Sequence, residues 1–142
     1  YISSILIGNN NNMKLKRAQK IAAKVLPKIE EFYGFSKYWN TTPYLEFEKS
    51  IYAKLMDEPN VEKNDGEQNP KAEFDLSENV ISIYYPEIKN KKDLIQTLIH
   101  EYQHYLQCPA WFGRYYKMGY NYNDHPYEVQ ANNEEKNWKL FK

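Results

Sequence analysis

One cysteine, Cys108, is all the sequence contains, so it can close no internal disulfide and build no cysteine zinc ribbon. That lone thiol is expected as a small buried residue at the end of a helix and, weakly, points to a reducing compartment. No apolar run approaches the length needed to cross a bilayer. Charge of either sign is not in excess either: 19 basic and 19 acidic residues leave a formal net charge of zero. Nothing electrostatic therefore draws the chain to nucleic acid or to a membrane surface. Residues 1–7 are apolar but have no basic stretch before them, and four asparagines and Met13 follow, which makes a poor signal peptide. A cytoplasmic, monomeric protein is the expectation, and the opening Tyr1 reads as the end of a processed or excised piece.

What the chain has in quantity is aromatic side chains, 16% of residues with fourteen tyrosines, against a low mean hydropathy of −0.87. Tyrosine can furnish a core with polar rims, and 142 residues suffice for one such core and are short for two. A helix is expected over 15–33, with Ala18, Ile21, Ala22, Val25, Ile29 and Phe32 inward, Gly34 as its stop and Pro27 kinking or splitting it. Residues 44–48 and 51–56 read as one bent strand or two short ones, and 57–71 as a polar loop with Pro59, Gly66 and Pro70. Segments 72–76 and 80–85 read as a hairpin turning at Ser77, Glu78 and Asn79. Helices over 93–107 and 126–141 complete an α+β layout, a small, mostly antiparallel sheet packed on helices.

The most informative stretch is His100-Glu101-Tyr102-Gln103-His104. On a helix, positions i and i+4 differ by roughly 40° around the axis and about 6 Å along it, so both imidazoles can reach one tetrahedral zinc. Glu101 lies too far round to bind the same ion but is placed to act as general base toward a water there. With three histidines in the chain, composition alone gives about a 1% chance of this spacing. Leu94, Ile95, Leu98, Ile99, Tyr102, Tyr105 and Leu106 fall on one arc, and the histidines fall opposite it with Thr97, Glu101 and three glutamines.

Two histidines need a third protein ligand. Pro126 is a natural first helical position with Asp124 or His125 as cap, and Glu128 follows in the first turn, 24 positions after His104. Tyr127, Ala131, Trp138 and Phe141 make the stripe of that helix. With these residues in place, the stretch 80–132 resembles the gluzincin-type zinc metallopeptidases, closest to their minimal single-domain and small phage-type members. The resemblance implies a zincin-like fold, one Zn²⁺ per chain held by His100, His104 and Glu128, Glu101 as general base, and a peptide or protein substrate. In larger relatives an aspartate four residues beyond the glutamate supports a zinc-bound histidine. Asn132 stands there, and its amide oxygen is expected to take that part.

The resemblance also implies an edge strand lining the cleft, which is expected at 80–85 and available for strand addition by substrate. The aromatic stretch 111–122, with Gly113 and Gly119 as hinges, reads as lid, cleft wall or packing. Tyr120, Tyr122, His125 and Tyr127 are candidates for a donor to the developing oxyanion or for substrate contact. Two other readings stay open: a His100/His104/His125 site similar to the SprT-like proteases, and a metal-bearing binding or regulatory module that turns over nothing.

Overall fold

The computed structural model describes residues 13–58 and 68–142. The expectations for residues 1–7 and for most of the 57–71 loop lie outside the described residues.

Helix α1, Leu15–Tyr33, buries Ala18, Ala22, Val25 and Ile29 and ends at Gly34, whose φ of 79° suits glycine. Pro27 does not split it. Both Pro27 and Ala23, whose carbonyl loses its helical partner, are exposed, so water replaces the missing donor. Phe32, expected inside, is 56% exposed, because the half-buried Tyr33 packs beside Tyr102 and Phe141 instead.

The sheet is mixed, not mostly antiparallel. Strand β1 (Tyr44–Glu48) runs parallel to β3 (Val80–Tyr84), and β2 (Ala72–Asp75) runs antiparallel to it, in the order β1-β3-β2. The expected second strand at 51–56 is helix α2, Ile51–Met56. Ser50 decides this, since its Oγ caps the helix by accepting from the Ala53 amide at 2.9 Å, a local signal that outweighs the β-propensity of Ile51 and Tyr52. After α2 the chain enters β2, antiparallel to β1, and the β2–β3 turn then sets β3 parallel beside β1.

The 80–85 segment is therefore an inner strand. Ile81 and Ile83 are fully buried in the core, and Ser82 accepts from Lys54 Nζ at 2.8 Å. The edge that lies against the helix over Lys91–Leu106 is β2. Strand order is a long-range property that alternation within one segment does not encode.

Helix α3, Lys91–Leu106, is capped by Asn90 and buries Leu94, Ile95, Leu98, Ile99, Tyr102 and Tyr105 against α1 and the sheet. Thr97, Glu101, Gln103 and His104, on its other side, are buried as well. The aromatic stretch is mostly helix: α4 spans Pro109–Lys117, with the partly exposed Cys108 as its cap. Helix α5 spans Pro126–Glu134 with His125 as N-cap, and the chain then tightens into a 3-10 turn over Glu135–Leu140. Asn132 and Asn133, weak in helix interiors, precede that change. The tail brings Phe141 into the core.

Candidate metal centre

His100, Glu101 and His104 project from α3 toward β2 and α5, and Glu128 projects from the first turn of α5 toward the same point. The three ligand atoms of His100, His104 and Glu128 lie within 4.8 Å of one another, a group that could hold a metal ion. One carboxylate oxygen, Glu128 Oε1, stands 2.9 Å from His100 Nε2 and 3.0 Å from His104 Nε2.

The far nitrogen of each ring says what that point requires. His100 Nδ1 meets Glu135 Oε2 at 2.9 Å, and His104 Nδ1 meets Gln107 Oε1 at 2.7 Å. Glu135 can only accept. Gln107 presents its oxygen because its Nε2 donates to the Tyr127 carbonyl at 3.0 Å and to Gln130 Oε1. Each imidazole therefore carries its proton on Nδ1, which leaves two Nε2 lone pairs and a carboxylate oxygen facing one another with no donor among them. Only a cation, proton or metal, satisfies that arrangement. Nitrogen, nitrogen and carboxylate oxygen, with second nitrogens anchored, is a donor set that suits zinc.

The electrostatics agree. Burial pulls the His100 imidazole down, but hydrogen bonds to Glu128 and Glu135 outweigh it and push its pKa up to about 10. Burial pushes Glu128 up, but His100 and His104 outweigh it and hold that carboxyl at about 2. Glu101, 7% exposed, is raised by its burial against the lowering effect of His104 and His100. A buried carboxylate with raised basicity, at the edge of the group and not in it, suits proton exchange.

The other expected site residues are distributed unevenly. Tyr122 lines the cleft with Glu101, and burial together with the charges of Glu128 and Glu101 raises its phenol. His125 is fully buried and fully occupied: Nδ1 accepts from the Tyr127 amide at 3.1 Å and Nε2 donates to the Phe112 carbonyl at 2.9 Å. It caps a helix and joins no triad with His100 and His104. Tyr120 packs on Tyr115, and Tyr127 on Phe112 and Tyr115, away from the cleft. Asn132 is exposed on the rim and Glu135 takes the place expected for it, because the carboxylate seven positions after Glu128 faces His100 while the one-turn position points outward.

Sequence reading does not reach Glu135 or Gln107. For Glu135 the signal is its two-turn spacing from Glu128; for Gln107 there is none, since its role depends on the carbonyl of Tyr127 across the loop. Phe112, from the stretch expected as lid, wall or packing, is a wall: its ring centroid lies 5.0 Å from that of His104.

No family model matches the chain, and no curated protein or solved structure matches it.

Proposed function

We propose that the chain is a zinc-dependent endopeptidase, similar in its site to the gluzincin-type metallopeptidases. One observation carries the reading: two Nε2 lone pairs and a carboxylate oxygen converge beside a buried glutamate that is not one of them. His100, His104 and Glu128 would hold the ion. When bound there, zinc supplies Lewis-acid activation of water and carbonyl at neutral pH.

The chain's own residues supply the rest. Glu101 takes a proton from the attacking water as its oxygen adds to the peptide carbonyl carbon. It returns that proton to the amide nitrogen as the C–N bond breaks, and the water's second proton also ends on that nitrogen, giving a carboxylate and an ammonium group. Tyr122 is the one of the four proposed donors in the cleft, and its O–H can donate to the carbonyl oxygen as negative charge develops on it. Glu135 and Gln107 keep the two Nδ1 protons in place, so the tautomers needed at Nε2 persist through turnover. The edge of β2 that no strand covers among the described residues borders the cleft, where an extended substrate can add as a further strand. A cleft that continues on both sides of Glu101 suits cleavage within a chain.

The test joins metal analysis to turnover. The purified chain should carry about one zinc, and Glu101→Gln should keep that metal while losing at least about 100-fold in peptide hydrolysis. Loss of metal in that variant would reassign Glu101 as a ligand. A metal-replete wild type that cleaves nothing in a mixed peptide library would leave the binding-module reading in its place.

A further inference from the structure

The cleft has two unlike lobes, and the three elements that border it agree on how they are ordered. The first lobe, about 360 Å³, takes His100, Glu101 and His104 from α3, Glu128 from α5, and the later part of β2 through Phe74 to Leu76. The second, about 340 Å³, takes Asp93 and Thr97 from earlier in α3, Asn132 and Glu135 from later along the chain after Glu128, and Lys71 before β2. Pro70, Ala72, His100, Glu101 and Tyr122 border both. Along α3 and β2 the chain thus runs from the second lobe to the first, and from Glu128 to Glu135 it runs the other way. His100 and Glu101 stand at the junction, with His104 and Glu128 on the side of the first lobe.

The lobes differ in chemistry. Phe74, Leu76 and Phe112 give the first an apolar wall, bordered by the exposed Glu73. The second holds an ion pair, Lys71 Nζ to Asp93 Oδ1 at 2.7 Å, the Glu135 carboxylate and the Asn132 amide, and apart from the shared Tyr122 ring no apolar side chain among the described residues there is larger than Ala72 and Pro70. Burying a large apolar side chain there would strand those groups without water, whereas the first lobe gains from it.

A peptide added to the free edge of β2 pairs most stably when antiparallel. It then runs from the first lobe to the second, N-terminal side first. Resting on the peptidase reading, we infer that the site selects peptides with a bulky apolar residue immediately before the scissile bond and a polar residue immediately after it. The order is fixed by strand polarity and the lobe chemistry, not by either alone.

The experiment uses the full metal-loaded chain and two labelled peptides identical except for a central Phe-Ser or Ser-Phe. Wild type should cut the first between Phe and Ser. The metal-loaded Glu101→Gln variant should bind it at least about tenfold more tightly than the second by fluorescence anisotropy, the scale of one apolar side chain gained or lost. Leu76→Arg, in a half-exposed turn, should shift preference before the cut toward Asp or Glu. Cleavage with the apolar residue on the C-terminal side, or equal binding of the two peptides, overturns the inference and leaves the peptidase reading standing. Ranked binding by Glu101→Gln with no cleavage by wild type does the reverse.

Discussion

Each imidazole of the candidate metal group is held by a different kind of partner, a carboxylate for His100 and an amide for His104, and the difference can be measured. Glu135→Gln keeps an acceptor oxygen but removes the charge, so His100 becomes less basic. Zinc affinity should fall by about 10-fold, the lower end for loss of a supporting partner. Gln107→Ala should do the same through His104 and also loosen the loop held by the Tyr127 carbonyl. A chelator competition read beside the melting temperature separates the two, since only the second variant should lose stability without metal. Glu128→Ala should lose far more metal affinity than His125→Ala. The latter removes a cap and the partner of the Phe112 carbonyl and should appear as about 1–3 kcal/mol of lost stability. Equal metal loss in both variants would return His125 to the site.

The same residues set a pH signature for the metal-free chain. The folded His100 imidazole titrates at about 10, above its ordinary value of 6.5, so its contribution is complete below pH 6.5 and is lost as pH rises through 10. Glu128, held at about 2 in the fold against 4.5, contributes above pH 4.5 and loses that contribution as pH falls toward 2. Thermal melts of the chelated protein should therefore decline on both sides of the interval 4.5–6.5. Zinc-loaded protein should keep its stability on the alkaline side, where the ion replaces the protons. His100, Glu101 and His104 are legible in the sequence because a helix makes their geometry local, and Glu128 because Pro126 announces its helix. Their Nδ1 partners are not, because their roles depend on which elements meet.

Among the elements, the helices of the site follow from periodicity and caps, while the sheet does not. Alternation identifies 72–75 and 80–84 as strands but cannot say which is inside; that depends on β1, 36 positions earlier (80 − 44), finding β3. At 51–56 the apolar, β-prone residues mislead, and the hydroxyl of Ser50 settles the matter. Ser50→Ala should cost about 1 kcal/mol, measured by denaturant melts. Peptide addition to β2 should slow amide exchange within 72–75, and leave 80–84, paired on both sides, unchanged. Slowing at 80–84 alone would contradict the topology.

At the scale of the molecule, the C-terminal tail connects the site to the rest of the core. Glu135 reaches His100 from the start of that tail, Phe141 fills the core against Phe32 and Tyr33 at its end, and Glu134 accepts from the Tyr33 hydroxyl at 3.0 Å. Phe141→Ala should cost about 3–5 kcal/mol in denaturant melts. It should also weaken zinc binding, although the ring touches no ligand.

The spacing of the site along the chain bears on how the protein folds. His100 and Glu128 are 28 positions apart with one short helix between the two that carry them, and the β2–β3 hairpin precedes them. Closing that segment costs less chain entropy than bringing β1 or α1 to it, and local contacts form fastest. The ligand-bearing half can thus gather before the N-terminal helix docks, so a cation arriving early would act as a template for assembly, and the speed of refolding would depend on when it is supplied.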